Sequence, residues 1–329
     1  MDHMQIVQMF SAPLLGTPAW AWLAFAAIVI VLLVLDLGLL HRTDRPVATG
    51  ESLLLSAGYI AVAVLFGLGV WLQLGPQAGL EYYTAYMVEK SLSMDNVFVI
   101  AMVFGVLAIP ARLQYRVLFW GILGVIVMRG LLIGLGTALV AQFSWLLYGF
   151  GAFLIYTGIQ MWRYVGHQHN LAEGMLLKWL RKHLRLSDGL RGNRFWVREQ
   201  AADGSGLRLH ATPLLLALLL VELFDLVFAV DSVPATFAIT TDPFIVYTSN
   251  IFAILGLRAL YFALAALVER FRYLKYALAL VLVFIGSKIF LVSWLGKFPP
   301  LLSLGITAAL LAGGIAWSLW KTRDVALAK

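Results

Sequence analysis

Long apolar runs, broken by short polar connections, fill the chain from Trp20 to Trp320. Nine of them approach the roughly 20 residues that a helix needs to cross a hydrocarbon core about 30 Å thick. They are Trp20 to Leu40, Leu53 to Leu74, Tyr86 to Ile109, Val117 to Val140, Phe143 to Trp162, Thr212 to Ile239, Phe244 to Val268, Tyr276 to Trp294 and Leu301 to Trp320. Nine of the ten prolines fall at or between run ends, where a missing N–H costs little, and Pro234 alone sits inside a run. Tryptophans collect near the ends, as rings that prefer a membrane interface do. The pattern predicts an all-α polytopic membrane protein with about nine transmembrane helices.

Composition agrees: 62% of residues are hydrophobic and 12% charged, and the mean hydropathy is +0.89. Water could not solvate such a surface. Lys and Arg alternate between connections. Arg42 and Arg45, Arg112 and Arg116, nine basic residues between Arg163 and Arg208, then Arg270, Arg272 and Lys275 lie on one side, with Lys321, Arg323 and Lys329 in the tail. The other side has only Lys297. Because short cytoplasmic loops carry the basic excess, the N-terminus is expected outside and the C-terminus in the cytoplasm. The excess also accounts for the basic pI of about 9.6 without any nucleic acid. Residues 1 to 19 lack the basic segment of a cleavable signal, so the first span is expected to direct its own insertion. With no Cys, disulfides and thiolate metal sites are excluded.

The longest polar stretch, residues 163–210, reads as a basic connector. Leu171 to Leu186 sets Leu171, Met175, Trp179, Leu180 and Leu184 against Lys178, Arg181, Lys182 and Arg185, the pattern of a helix lying on the inner leaflet. Two strand-like runs around Ala-Ala-Asp-Gly-Ser-Gly predict a hairpin over Arg194 to Thr212. Neither piece carries a catalytic motif.

The chemistry lies inside the spans, where Asp36, Glu89, Lys90, Asp95, Arg129, Glu222, Asp225, Asp231, Arg258 and Lys288 occur. Each costs about 2.5–3.5 kcal/mol at mid-membrane on insertion scales. Left unpaired, the set would rival the whole stability of a typical protein, about 5–15 kcal/mol. They must pair, bind an ion or stay protonated. Six acids against four bases leave a formal −2, the charge one divalent cation cancels. Asp36, near the inner end of its span, can instead reach water or Arg42.

The acids are patterned. Glu89-Lys-Ser-Leu-Ser-Met-Asp95-Asn96-Val97 and Asp225-Leu-Val-Phe-Ala-Val-Asp231-Ser232-Val233 share the order acid, five residues, acid, small polar, Val. The next spans carry Arg129-Gly130-Leu131 and Arg258-Ala259-Leu260, and the ones after place Tyr148 and Tyr276 each ten residues before Gly158 and Gly286. Spans three to five (83–162) therefore read as a duplicate of spans six to eight (212–294), with spans one and two (20–74) and the last span (300–320) peripheral. Three is odd, so the copies cross the membrane in opposite senses, the inverted repeat of many secondary transporters. Such repeats bind at the midplane, commonly at discontinuous helices. Glu89 and Asp95, six residues apart, stand about 240° apart on a regular helix, so unwinding is expected between them, near Ser91, Ser93 and Asn96, and in the other copy near Ser232 and Pro234.

The implied oxygen ligands are Glu89, Asp95, Asp225 and Asp231, with Glu222, Asn96 and Asn250 around them. Carboxylate and carbonyl oxygens suit Mg²⁺, Ca²⁺ or Mn²⁺. All six His lie in tails and loops, which disfavours softer metals. Met94 is either a soft contact favouring Mn²⁺ or a gap filler. Lys90, Arg129, Arg258 and Lys288 either hold the acids in place as counter-charges or replace the cation when the site is empty. Clustered acids share protons, which offers a route to proton–metal exchange.

Three segments, Glu89-Lys-Ser-Leu-Ser-Met-Asp-Asn-Val-Phe-Val, Phe224-Asp-Leu-Val-Phe-Ala-Val-Asp-Ser-Val-Pro-Ala and Thr240-Thr-Asp-Pro-Phe-Ile-Val-Tyr-Thr-Ser-Asn250 through Phe262, resemble signature segments of the TerC family. The nine spans and the basic connector are similar to its Alx-type branch. The resemblance runs over most of the chain and implies a bacterial inner-membrane manganese exporter with Glu89, Asp95, Glu222, Asp225 and Asp231 as the transport site. At the position of Asp225 the family also carries other acids or polar residues. Manganese enters through the resemblance alone.

Outward movement of a divalent ion costs about 4.6 kcal/mol at 100 mV, inside negative. Export therefore needs a steep concentration gradient or an inward flow of protons or sodium, and protons are the expected counter-ion. A Ca²⁺/H⁺ type exchanger would use the same residues, and a metal or pH sensor, or a scaffold in a metal-stress complex, would present them as well. An intramembrane enzyme is disfavoured, since there is no His-Glu-x-x-His, no Gly-x-Gly-Asp and no Ser/His pair within the spans.

Overall fold

The computed structural model describes residues 13–40, 49–143, 145–163, 179–180, 184–187, 189–200, 207–264, 273–295 and 298–322. Among these, a helix lies over every apolar run: α1 (Ala19–Leu40), α2 (Thr49–Leu74), α3 (Pro76–Val106), α4 (Ala111–Gln142), α5 (Leu146–Arg163), α6 (Pro213–Phe237), α7 (Pro243–Leu264), α8 (Leu274–Leu295) and α9 (Pro300–Lys321). Five of them, α2, α4, α6, α8 and α9, are long and apolar enough to cross a membrane. Leu54, Leu65, Leu72, Leu131 and Leu135 point outward and are exposed, which only a lipid environment stabilises.

Helix starts follow local chemistry. α3, α6 and α9 begin with Pro at their first turns, where the ring fits and no N–H is lost. Gly75, at φ 98, turns the chain from α2 into α3 in one residue. This start places α3 ten residues ahead of the apolar run at Tyr86, because its first turns form a hairpin with α2. There the Tyr82 and Tyr83 hydroxyls donate to the Ala63 and Val64 carbonyls at 3.1 and 2.8 Å. At 31 and 32 residues, α3 and α4 would measure about 46–48 Å, so their ends project past a 30 Å core or the helices tilt.

One sequence expectation is corrected. α3 is helical throughout residues 89–96 and α6 throughout 225–234, with Pro234 inside it. Apart from the N–H that Pro234 lacks, the helices run on without a break, and a shared face is reached by other spacings: Glu89, Ser93 and Asn96 at i, i+4, i+7, and Asp225 and Ser232 at i, i+7.

The middle helices pack reciprocally. α3 lies on α7 and α4 on α6, α3 also on α6 and α4 on α7, while α5 runs along α8. Where α5 and α8 meet, a Cβ on Gly158 would fall 2.8 Å from the Ala279 carbonyl and 3.2 Å from the Val283 nitrogen. One on Gly286 would fall 2.6 Å from the Gly151 carbonyl and 3.1 Å from the Ile155 nitrogen. Each glycine thus meets residues standing seven and three places before the other, the small-residue contact that lets membrane helices approach closely.

At the end of the bundle bearing the basic connections, β3 (Trp196–Gln200) pairs antiparallel with β4 (Leu207–Ala211), in register Trp196 with Ala211. Buried Thr212 joins this hairpin to α6 by donating to the Arg194 carbonyl at 2.8 Å. At the opposite end, β1 (Pro13–Leu14) and β2 (Thr17–Pro18) form a two-residue ladder before α1. The amphipathic helix expected over Leu171 to Leu186 lies mostly outside the described residues.

Candidate cation site

Arg129, near the middle of α4, is 1% exposed and is the centre of a charged cluster. Its Nη1 donates to Glu89 Oε1 and to Asn250 Oδ1 at 2.6 Å, and to Ser232 Oγ at 2.9 Å. Nε and Nη2 reach Asp225 Oδ2 and Oδ1 at 3.4 Å. Four helices therefore converge: α3 supplies Glu89, α4 the guanidinium, α6 Asp225 and Ser232, and α7 Asn250. Asp225 is the central residue of the 25-residue α6, so about 18 Å of helix extends on either side of it.

The supporting hydrogen bonds fix the rotamers. Asn96 Nδ2 donates to Asp225 Oδ1 at 3.1 Å, tying α3 to α6. Ser93 Oγ lies 3.4 Å from Glu89 Oε1. Asn250 Nδ2 donates to the Val246 carbonyl at 3.0 Å and to Thr236 Oγ1 at 3.3 Å, which turns Oδ1 toward Arg129. Thr236 in turn donates to the Ser232 carbonyl at 3.0 Å.

Around this cluster three carboxylate and amide oxygens remain unsatisfied. Glu89 Oε2, Asn96 Oδ1 and Glu222 Oε2 are buried and accept no hydrogen bond among the described residues. An unpaired buried acceptor costs about 1–3 kcal/mol, more when charged, so three such atoms in one region need a partner. Glu222, one turn before Asp225 on α6, lies against α4 at Gly121 and Gly124. A Cβ on Gly124 would collide with its carboxylate. The glycine is the space in which that carboxylate sits.

A cavity of about 40 Å³ leads from Asn96 and Asp225 toward the basic end of the bundle. Val99, Leu118, Val221, Leu257 and Tyr261 line it, and the Tyr261 hydroxyl donates to Gln114 Oε1 at 3.1 Å. It is large enough for a few waters. On the opposite end opens a vestibule of about 780 Å³, lined by Glu81, Tyr148, Phe237, Asp242 and Lys288 among others. Phe237, 2% exposed, stacks on Phe150 at 6.4 Å and presses against Gly136. It stands five residues beyond Ser232 on α6, between vestibule and cluster.

Of the residues singled out in the sequence, Glu89, Asn96, Arg129, Asp225 and Asn250 come together, with Glu222 a turn away. Lys90 is buried but turns to α7, donating to the Ala253 carbonyl at 3.1 Å under Gly256. Lys288 points into the vestibule wall, 3.4 Å from Ser303 Oγ. The side chains of Asp36, Met94, Asp95, Asp231 and Arg258 lie outside the described set. Among the described residues no three Asp, Glu or His side chains converge as a metal cage would. Thr236, Gly124, Glu81 and Asp242 were not singled out. None of the four stands out in the sequence: Thr236 and Gly124 are uncharged, and an acid at a span end costs too little to be conspicuous.

The buried charge, the lipid-facing helices and the reciprocal packing define a multi-pass integral membrane protein with a polar centre. Residues 74–326 match the family described as integral membrane protein TerC, and the chain belongs to that family. It is 47% identical to an uncharacterized membrane protein of Myxococcus xanthus, over 94% of this chain and 95% of that one. It is 45% identical to Alx of Escherichia coli, over 93% and 95% of the two chains. It is 44% identical to the Salmonella typhi protein of the same name, again over 93% and 95%. Alx is named for a proposed role as a membrane-bound redox modulator. No solved structure matches the chain.

Proposed function

We propose that this chain is a secondary transporter of the bacterial inner membrane that exports divalent cations, Mn²⁺ foremost, in exchange for protons, and is not an enzyme. The observation that carries the reading is the set of three unsatisfied oxygens on Glu89, Asn96 and Glu222, gathered beside Asp225 at mid-bundle. Oxygen donors of this kind suit a hard or borderline divalent ion. Asp95 and Asp231, on the same two helices but about 240° around from Glu89 and Asp225, are proposed as further acids on the ion's path. Manganese among such ions comes from the family resemblance.

Nine spans arranged as an inverted repeat, residues 83–162 and 212–294, support the transporter class. The exchanged contacts of Gly158 and Gly286, and the matched packing of α3 on α7 and α4 on α6, are what a two-fold axis in the membrane plane requires. Glu89 and Asp225, which occupy the same place in the two copies, meet at Arg129. With the basic end cytoplasmic, the small cavity at Asp225 is the entry from the cell and the vestibule is the exit. A role in redox balance, as the name of Alx proposes for that protein, would proceed here without thiols, since the chain has no Cys.

The test is radiolabelled Mn²⁺ flux in proteoliposomes, for wild type, Asp95→Asn and Asp231→Asn, with Ca²⁺ and Mg²⁺ as competitors and an imposed pH gradient. Flux that follows the gradient and is lost in both variants is expected. Flux that follows sodium and ignores pH would replace the counter-ion, and wild type without flux would leave a sensor or scaffold.

A further inference from the structure

Of the cations inside the spans, the two described lysines lie apart from Glu89 and Asp225, Lys90 on a backbone carbonyl of α7 and Lys288 on the vestibule wall with Glu81 and Asp242. Arg129 alone among the described residues sits between Glu89 and Asp225, one acid from each proposed repeat, and adds Ser232 and Asn250. Its guanidinium therefore holds oxygen atoms from three helices at 2.6 to 3.4 Å. That is the chemistry of a coordinated cation, executed by a side chain.

The two modes compete for the same two carboxylates. A divalent ion of this class takes its oxygens at about 2.0–2.6 Å, closer than a hydrogen bond allows, and the lone pairs on Glu89 Oε1 and Asp225 cannot serve both partners at full strength. The guanidinium cannot yield by losing its proton. A bound ion therefore weakens the contacts of Arg129 by drawing on the carboxylates or by shifting its long side chain.

We infer that Arg129 is a tethered substitute for the transported cation: it pairs with Glu89 and Asp225 and cancels one of their two charges when the protein is unloaded, and is displaced from them when a divalent ion binds. The inference rests on the transport reading and adds two consequences. Arg129 competes with the ion, so it lowers the apparent affinity in proportion to the free energy of its own contacts. It also lets the unloaded site change sides without exposing two bare carboxylates to hydrocarbon.

The experiment uses full-length protein in nanodiscs and in proteoliposomes, comparing wild type with Arg129→Gln and Arg129→Lys. Mn²⁺ affinity is measured by calorimetry, and Mn²⁺/Mn²⁺ exchange is measured beside net efflux into metal-free solution. Arg129→Gln should bind Mn²⁺ about tenfold tighter or more, keep exchange, and lose net efflux by at least about tenfold, since the unloaded return is then penalised by uncompensated charge. Arg129→Lys, whose ammonium reaches fewer acceptors, should bind about threefold tighter.

Affinity that is unchanged or weaker in a folded variant, with exchange and net efflux falling together, would overturn the inference and leave Arg129 a structural clamp. If Arg129→Gln does not fold, Arg129→Lys decides on the same criteria. Wild type that binds no divalent ion would instead overturn the transport reading itself.

Discussion

The central cluster and the vestibule hold the same kinds of residue in opposite physical regimes. Glu89, Asp225 and Arg129 are almost wholly removed from solvent, and each contact is a direct hydrogen bond. Glu81, Asp242 and Lys288 are only partly buried and line an opening of about 780 Å³, where water screens them in part. Buried charges lose several kcal/mol each on desolvation unless geometry returns it, while exposed pairs contribute about 0–1 kcal/mol. The contrast separates tasks: the centre can discriminate between ions because errors there are costly, whereas the vestibule can only raise or lower the local ion concentration.

Breaking the centre should have the largest effect. Glu89→Gln keeps the shape and removes one charge, leaving Arg129 with Asp225 as its remaining carboxylate among the described residues. Mn²⁺ flux is expected to fall about 100-fold, and thermal unfolding in detergent to register a loss on the order of 3–5 kcal/mol for a broken buried pair. A variant with wild-type flux would remove Glu89 from the site.

The next largest concerns Gly124. A methyl at that position meets the Glu222 carboxylate directly, so Gly124→Ala must push this acid out of the space between α4 and α6. About a tenfold loss of flux is expected, with little loss of stability beyond the 1–3 kcal/mol of overpacking. Gly121→Ala, whose methyl would sit at an ordinary 3.8 Å from the same carboxylate, is the control and should behave as wild type.

The same contrast explains what was readable in the sequence. Apolar runs mark helices because a membrane needs a minimum length of them, and a charge inside such a run stands out because it is expensive there. Glu89, Arg129 and Asp225 were legible for that reason, and Asn250 for its polarity in the same setting. The continuous course of α3 and α6 was not legible. The spacing of Glu89 and Asp95 implies opposite faces on a regular helix, and the sequence does not say that Ser93 and Asn96 give Glu89 its companions instead. Gly124 carries no charge, so its pairing with Glu222 exists only across two helices. Glu81 and Asp242 lie at span ends, where an acid costs nothing and so signals nothing.

Between the two regions stands Phe237, held by Phe150 and Gly136. If it is the barrier that separates vestibule from cluster, Phe237→Leu should thin that barrier while keeping it apolar. A leak of Mn²⁺ uncoupled from the pH gradient should rise about threefold to tenfold, since narrow apolar constrictions gate by excluding water. Tightly coupled flux in that variant would place the barrier elsewhere.

The smallest expected effect belongs to the vestibule. Asp242 Oδ1 accepts from the Phe244 and Ile245 amides at 2.8 and 3.3 Å, capping α7. Burial pushes its carboxyl above the usual range, those two amides pull it down, and nearby Glu81 adds to the rise. A carboxyl raised in the folded state prefers its proton there, so its ionised form lowers stability as pH climbs from the ordinary carboxylate range through the raised value. Asp242→Asn keeps a good cap and removes the charge. The variant should melt about a degree higher than wild type at neutral pH and match it in acid, where wild type is already protonated. Mn²⁺ affinity measured from the vestibule side should fall only a few-fold, and that difference should vanish in high salt. A salt-independent loss as large as that of Glu89→Gln would mean that Asp242 coordinates the ion directly, and that the two regions are one site.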